Sequence, residues 1–238
     1  MEYSIILPCY EEAENLRVLL PQIKQVMQKL SNHFEILVID KNIFCPLVAS
    51  LCEKHGAIYF NRHPENDYGD AFRTGVKVSQ SEYIIFMDSD GSHPPAFLEK
   101  MITTQKNNAA ADLVIASRYI KGGASKNNTL LVFMSKLVNL FYSKILHLKC
   151  HDVSNSFRLY RKEKLLNIEL SCKHFDVIEE VLFKLLRNFP QLRLIEIPFT
   201  FQKRLHGTSR RKFIIFLANY FLTLAKLWRL PDNKNGLS

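Results

Sequence analysis

The sequence lacks paired cysteines and long hydrophobic runs. Its five cysteines are odd in number and form no Cys-x-x-Cys pair, so we expect neither a disulfide framework nor a zinc ribbon, and a reducing compartment is the simplest one. The longest apolar tract, 213–228, is interrupted by Asn219 and Lys226 and is shorter than the roughly 20 residues of a membrane-spanning helix. The first residues have no basic region followed by a long apolar core, so no secretory signal peptide is expected.

Acidic residues are outnumbered by basic ones. The chain has 32 lysines and arginines against 23 aspartates and glutamates, a formal net charge of +9. Such a charge favours anionic partners such as phosphorylated substrates, nucleic acid or an acidic membrane surface. No basic recognition helix or nucleic-acid-binding motif accompanies it, so we expect no nucleic-acid partner.

Short apolar runs alternate with helical patterns in the first half of the chain. The runs "YSIIL", "FEILVI", "AIYF", "YIIFM" and "DLVIAS" predict strands, and strands this apolar are typical of a mostly parallel sheet covered by helices on both faces. Beyond residue 117 the pattern predicts a loop, a helix from about Thr129 to His147, an irregular stretch 151–161, a helix over about Asp176–Asn188 and a last strand pair in "LRLIEIPFTF". The sequence contains no repeat or low-complexity linker, and we expect one α/β domain followed by a C-terminal helix.

Two carboxylates, Asp88 and Asp90, follow the run "YIIFM" and precede Pro94 and Pro95, which we expect to begin the next helix. Ligands of open α/β sheets lie beyond the carboxyl ends of the strands, and two carboxylates there can hold a hard divalent cation while leaving coordination positions for phosphates. A structural alternative is that Asp90 caps the following helix. His93, a lone histidine beside prolines, is expected to be structural rather than a metal ligand.

Six blocks of the sequence, in order and spacing, resemble those of inverting GT-A glycosyltransferases of family 2, most closely the polyprenol (dolichol) phosphate mannose synthases. The blocks are "ILPCYEEAENL", "YGDAFRTG", "IIFMDSDGSHPP", "IASRYIKGG", "SNSFRLYRKE" and "IEIPFTFQKRLHGTS". An ordered set of this kind is far more specific than any one motif. The resemblance implies a GT-A (Rossmann-like) domain over residues 1–210, followed by a C-terminal amphipathic helix and tail over 211–238 that lies on a membrane or docks on a partner.

The resemblance also implies a reaction and a set of site residues. The reaction is transfer of a hexose from a nucleotide sugar, GDP-mannose in the first instance or a UDP-sugar, to polyprenyl or dolichyl phosphate at the cytoplasmic face of a membrane, with Mg²⁺ or Mn²⁺ as cofactor. The metal ligands would be Asp88, Asp90 and Ser92, where many relatives place a glutamine. The donor would be bound by Pro8, Tyr10, Glu12, Asp40, Asp88 and Ser135. Catalysis would fall to Asp90, Arg118, Asp152 and Arg204.

The nature of the acceptor decides whether a general base is needed. A lipid monophosphate is already anionic at neutral pH and needs cations rather than a base. Arginine suits phosphate geometry, and the candidate cations are Arg118, Lys121, Arg204 and Arg210. A sugar or protein hydroxyl would instead need a carboxylate base, for which the candidates are Asp152, Glu179 and Glu180.

The chain departs from the family pattern at several positions. Lys41 follows Asp40 where relatives carry a second acid, Leu131 stands where they carry arginine, and Asp67 and Ser156 stand where they carry glycine. These changes leave open a different nucleotide sugar with a hydroxyl acceptor, or a degenerate glycosyltransferase that only binds. Retention of the charged site argues against the second alternative.

The C-terminal tract "RRKFIIFLANYFLTLAKLWRL" has basic residues at both ends and aromatic residues within it. This composition suits a helix lying on an anionic lipid surface. Because most faces of the tract are apolar, a core or partner-docking helix is the alternative.

Overall fold

A seven-stranded sheet organises the fold. The computed structural model describes residues 1–207 and 213–230, with the backbone alone at 213–218. Its strands are β1 (Tyr3–Pro8), β2 (Phe34–Asp40), β3 (Ile58–Asn61), β4 (Tyr83–Phe86), β5 (Leu113–Ser117), β6 (Ala124–Ser125), β7 (Arg158–Arg161), β8 (Leu194–Pro198) and β9 (Thr200–Phe201). The main sheet has the order β3-β2-β1-β4-β7-β5-β8, and β6 pairs with β9 in a separate two-stranded sheet.

Helices cover both faces of the main sheet. They are α1 (Ala13–Leu30), α2 (Pro46–His55), α3 (Tyr68–Val78), α4 (Phe97–Asn107), α5 (Thr129–Ile145), α6 (Lys162–Leu166), α7 (Val177–Asn188) and α8 (Phe213–Trp228). Successive residues of a strand point to opposite faces, and Ile5 and Ile6 are both fully buried in different core clusters. The sheet is therefore covered on both sides, and the α/β fold class expected from the sequence is confirmed.

The prediction that residues 151–161 are irregular was wrong over their second half. This segment contains β7, which lies antiparallel between β4 and β5. Its first residue, Arg158, is fully buried and donates from Nη1 to the Ile178 carbonyl at 3.0 Å and from Nη2 to the Val153 carbonyl at 2.7 Å. Arginine is almost never fully buried, so "FRLYR" does not read as a central strand.

Two other boundaries differ from the sequence-based expectation. Helix α4 begins at Phe97 rather than at the prolines, because the amides of Phe97 and Leu98 donate to the carbonyls of Pro94 and Pro95 and form a turn first. Asp90 is not the cap of this helix, whose N-cap is Ala96. The expected last strand pair is also different, since β8 lies beside β5 in the main sheet and β9 pairs with β6.

The C-terminal helix α8 packs on the domain through one side. Tyr220, Leu224 and Leu227 are buried against the core, and the Tyr142 hydroxyl donates to the Tyr220 carbonyl at 2.7 Å. Arg210, a predicted phosphate-binding cation, lies outside the described residues, and the domain boundary at residue 210 stays a prediction. Of the helices in the two described ranges, none combines the length and apolarity needed to cross a bilayer.

Candidate active site

The loop that carries the two acids leaves the sheet beside β1. The Met87 amide donates to the Ile6 carbonyl at 3.0 Å, and the Ser89 hydroxyl donates to the Pro8 carbonyl at 2.7 Å. Gly91 then has φ of 84°, and a Cβ built on it would lie 2.3 Å from Leu205 Cγ. The positive φ and the close approach of Leu205 both favour glycine at this turn.

Asp88 and Asp90 bind their neighbours in the same way. Oδ1 of Asp88 accepts from the hydroxyls of Tyr68 at 3.1 Å and Ser156 at 3.0 Å, and Oδ1 of Asp90 accepts from the amide and hydroxyl of Ser92 at 2.9 and 2.5 Å. The two side chains are 13% and 18% exposed. Each acid therefore commits Oδ1 to hydrogen bonds within the protein. Oδ2 of Asp90 lies 3.4 Å from Arg204 Nη1, and Oδ2 of Asp88 lies 4.0 Å from His93 Nε2.

The two Oδ2 atoms, which accept none of these hydrogen bonds, fit a divalent cation that would displace Arg204 from Asp90. Burial alone would raise the pKa of Asp90, but the hydrogen bonds from Ser92 and the positive charge of Arg204 outweigh it, so the pKa lies below its ordinary value and the ionised form is favoured. Within residues 1–207 and 213–230 no group of three or more His, Cys, Asp or Glu side chains could hold a metal. Two carboxylate oxygens can hold Mg²⁺ or Mn²⁺ when phosphates and water complete the coordination.

Ser92 and His93 each form a hydrogen bond with one of the two aspartates. Both are fully buried, and His93 Nδ1 accepts a hydrogen bond from the Asp88 amide at 2.9 Å while its ring stacks on Phe157 with centroids 4.7 Å apart. Burial lowers the pKa of His93, which favours the neutral ring. His93 thus holds the Asp88 backbone through a hydrogen bond and packs on Phe157, and Ser92 orients Asp90. Direct metal ligation by Ser92 stays a prediction.

Sequence reasoning missed Arg62, which ties together three segments on the expected donor side. Its buried guanidinium donates to the carbonyls of Ile39 and Asp40, at the end of β2, at 3.2 and 3.1 Å. It also donates to the Cys9 carbonyl after β1 and to those of Asn66 and Asp67 before α3. An arginine after a strand usually reads as a surface residue, so only the tertiary structure identifies it.

The residues expected to meet the nucleoside lie around Arg62. Tyr10 is partly exposed, with the Arg62 guanidinium 5.9 Å from its ring centroid, and Pro8 is buried at the end of β1. Asp40 is buried, its Oδ2 is 3.4 Å from the Tyr59 hydroxyl, and its Oδ1 has no hydrogen-bond partner. A buried carboxylate oxygen without a donor is costly, so this position suits a ligand N–H or O–H.

Arg118 and Asp152 form a buried ion pair. Arg118 donates from Nε and Nη2 to the two carboxylate oxygens at 2.8 and 2.7 Å, its amide donates to the same carboxylate at 2.8 Å, and the two side chains are 9% and 0% exposed. Burial alone would lower the pKa of Arg118, but the Asp152 charge outweighs it and the pKa is raised. Asp152 fits a positioning role for Arg118 better than direct catalysis, which stays a prediction. Ser135 lies nearby, 3.4 Å from Ser154, a hydroxyl that also accepts from Arg118.

Arg204 contacts two acids that are far from it in sequence, Glu12 and Asp90, and we call the region between these three side chains the cleft. Nη1 lies 3.4 Å from Asp90 Oδ2, and Nη2 donates to Oε1 of Glu12, 192 residues away. The segment around Arg204 is fixed over the acidic loop, since the Leu205 amide donates to the Asp90 carbonyl at 2.9 Å. The structure thus brings Glu12, Asp90 and Arg204 together, and the roles that the resemblance implies for them stay predictions.

The other candidate bases do not face the cleft. Glu179 and Glu180 are both fully buried on α7. Glu180 accepts from the Ser171 and Cys172 amides and pairs with Lys184 at 2.8 Å. Neither carboxylate can take a proton from an acceptor at the solvent-accessible site in this arrangement.

Comparison with known proteins points to one family. The sequence model of the family described as glycosyl transferase family 2 matches residues 4–168 of this chain. Dolichol-phosphate mannosyltransferase from Pyrococcus furiosus is 31% identical over 221 residues, which make up 89% of this chain and 60% of that protein. Polyprenol monophosphomannose synthase from Mycolicibacterium smegmatis is 27% identical over 218 residues, 87% of this chain and 79% of that protein. The chain thus spans less than two thirds of the Pyrococcus protein.

Solved structures share the fold. Glucosyl-3-phosphoglycerate synthase from Mycobacterium tuberculosis, in complex with Mn²⁺, uridine diphosphate and phosphoglyceric acid, superposes with a TM-score of 0.72 at 17% identity, covering 99% of this chain and 81% of that one. The same enzyme with Mn²⁺, UDP-glucose and phosphoglyceric acid gives a TM-score of 0.73 at 17% identity, covering 99% and 83%. The GT-A fold expected from the sequence is thereby confirmed.

Proposed function

This chain belongs to glycosyl transferase family 2, and from that membership we propose that it transfers a hexose, with inversion, from a nucleotide sugar to polyprenyl or dolichyl phosphate. Mannose from GDP-mannose is the proposed donor. The names of the relatives from Pyrococcus and Mycolicibacterium support both the sugar and the lipid acceptor.

The observation that carries the proposal is the state of the candidate bases. Both carboxylate oxygens of Asp152 accept hydrogen bonds from Arg118, and Glu179 and Glu180 are buried in the core. A hydroxyl acceptor would need one of them as a base. A lipid phosphate, with a second pKa near about 6, brings its own anionic oxygen and needs only the charge of Arg118 and Arg204. The arrangement therefore favours a phosphate acceptor.

Asp88 and Asp90 would hold Mg²⁺ or Mn²⁺ through their Oδ2 atoms. When bound, the ion supplies positive charge against the leaving nucleoside diphosphate. The protein's own contribution is orientation, because hydrogen bonds to both Oδ1 atoms fix the two carboxylates before any ligand arrives. Solved structures of the same fold that contain Mn²⁺ support this role.

We further propose that the protein binds a membrane surface on its cytoplasmic face through helices α5 and α8. The two helices pack together, with the rings of Phe141 and Phe221 6.1 Å apart. Both expose large apolar side chains to solvent, and an exposed patch of this kind marks an interaction surface. The exposed apolar side chains on the two helices are Leu130, Leu131, Phe133, Leu140, Phe141, Ile145, Phe221, Leu222 and Trp228.

The test is a transfer assay with purified protein, a panel of nucleotide sugars, and polyprenyl phosphate in anionic or neutral vesicles, with and without EDTA. We expect a lipid-linked sugar that forms with GDP-mannose, is abolished by EDTA and by the double variant Asp88→Asn, Asp90→Asn, and is retained in the exposed control Glu99→Gln. Transfer to a soluble hydroxyl would contradict the phosphate acceptor. Absence of nucleotide and metal binding in calorimetry would indicate a degenerate protein that has lost the reaction.

A further inference from the structure

Two hydroxyl groups from distant parts of the chain meet on one oxygen of Asp88. Tyr68, the first residue of α3, and Ser156, just before β7, both donate to Oδ1, at 3.1 and 3.0 Å. Ser156 stands where the family pattern has glycine, which has no hydroxyl to donate. We call Tyr68, Ser156 and Asp88 the hydroxyl clamp.

The tyrosine arm of the clamp is held rigidly. The Tyr68 ring stacks on Phe175 with centroids 4.0 Å apart and an interplanar angle of 24°. The next residue, Gly69, donates its amide to the Lys173 carbonyl at 2.6 Å, and a Cβ built on it would lie 2.2 Å from the Cys172 carbonyl oxygen. The start of α3 is therefore fixed against the segment before α7, and the phenol cannot turn away without unpacking both.

The serine arm is held by the segment just before β7. Ser156 is buried, and the neighbouring Asn155 donates its side-chain amide to the Ala116 carbonyl in β5. The two hydroxyls approach Asp88 from α3 and from the segment just before β7, so two hydrogen bonds restrain the position of Oδ1.

We propose that Tyr68 and Ser156 are positioning residues that commit Asp88 Oδ1 to the protein and leave Oδ2 as a one-oxygen ligand for the divalent cation. This inference rests on the proposed function, which supplies the cation. Mg²⁺ and Mn²⁺ take octahedral oxygen ligands, whereas Ca²⁺ accepts about six to eight ligands and can also bind a carboxylate through both oxygens. The hydroxyl clamp therefore favours the smaller ions over Ca²⁺ by denying Asp88 a two-oxygen contact.

The test measures Mn²⁺ binding to the full chain, with and without GDP, by the electron paramagnetic resonance signal of the free ion. A second titration measures how well Ca²⁺ competes with Mn²⁺. We expect Tyr68→Phe and Ser156→Ala each to weaken Mn²⁺ binding about 10-fold, because groups that orient a metal ligand typically contribute 10–100-fold to affinity. Both variants should also lose part of the preference for Mn²⁺ over Ca²⁺. The matched control is Tyr83→Phe, which removes a tyrosine hydroxyl at the start of β4, at the opposite end of this strand from Asp88. This variant should bind Mn²⁺ as tightly as the wild type does.

The outcomes separate this inference from the proposed function. If Asp88→Asn, Asp90→Asn abolishes Mn²⁺ binding while both hydroxyl variants keep wild-type affinity and ion preference, the clamp has no positioning role and the inference is overturned. If the wild type binds no Mn²⁺ with or without GDP, the proposed function fails and the inference with it. Thermal unfolding of each variant identifies one that does not fold, and the serine variant, which leaves the Phe175 stack intact, then carries the test.

Discussion

A buried acid on α7 provides a quantitative test of the fold. Glu179 is fully buried, and its pKa is about 8, compared with an ordinary value of 4.5. Burial is the largest cause, since it disfavours the charged form, and the positive charge of Arg158 offsets only part of it. The perturbation is Glu179→Gln, which keeps the shape of the side chain and removes its titration.

The sign and size of the effect follow from proton linkage. The pKa of Glu179 is higher in the folded state than in the unfolded state, so the folded state keeps its proton to higher pH. The acid therefore has no effect on stability below pH 4.5, and the free energy of unfolding falls as pH rises from 4.5 towards 8. The slope is about 1.4 kcal/mol per pH unit. Above pH 8 the free energy of unfolding is therefore lower by about 5 kcal/mol than at acid pH. Glu179→Gln has no titrating group at this position, so its free energy of unfolding does not fall in this way.

The assay is urea unfolding of the wild type and Glu179→Gln at pH 5, 7 and 9. The variant should exceed the wild type by about 1, 3 and 5 kcal/mol respectively. Its neighbour Glu180 is the contrasting control: burial would raise its pKa, but hydrogen bonds from Lys184, Cys172 and Ser171 lower it below the ordinary value. Glu180→Gln should be less stable than the wild type at pH 7, with a gap that closes towards acid pH. Parallel stability curves for the wild type and Glu179→Gln would refute the reasoning.

Two further predictions concern the arginines of the cleft. Asp152→Asn breaks the buried pair with Arg118 and should cost about 3–5 kcal/mol in unfolding free energy as well as transfer activity; an unchanged urea midpoint would contradict it. Arg204→Ala frees Asp90 and Glu12 from a partly exposed ion pair, so Mn²⁺ without nucleotide should bind about two- to five-fold more tightly, corresponding to the energy of such a pair, while turnover falls. Weaker Mn²⁺ binding in calorimetry would show that Arg204 does not compete with the ion.

Much of the fold follows from local sequence because its strands bury apolar side chains on both faces. Runs such as "YSIIL" and "YIIF" are unambiguous in this respect, and they correspond to β1 and β4. Strand β7 cannot be predicted from local sequence, because Arg158 can be buried only where the carbonyls of Val153 and Ile178 accept hydrogen bonds from its guanidinium. Those carbonyls come from loops and helices that local pattern cannot place.

The candidate site divides along the same line. The acids Asp88 and Asp90 could be predicted, since they sit at the end of one strand in a short stretch of chain. Arg204 could be assigned to them only through the resemblance, because its contact with Glu12 spans 192 residues. The hydroxyl of Tyr68 and the guanidinium of Arg62 gave no sequence signal, since a tyrosine or arginine beside a helix or strand is usually a surface or packing residue.

The two arginines of the cleft are held in different ways, and the difference bears on the roles proposed for them. Arg118 is 9% exposed and paired through two hydrogen bonds with a fully buried carboxylate, so anions that enter the cleft meet a guanidinium whose direction is fixed. Arg204 is 27% exposed, and its partners Glu12 and Asp90 keep 15% and 18% of their side-chain surface. Ion pairs this exposed are weak and readily exchanged. A cation bound at Asp90 or an anion bound at Arg204, as proposed above, would therefore replace this ion pair, whereas we expect the pair of Arg118 with Asp152 to persist.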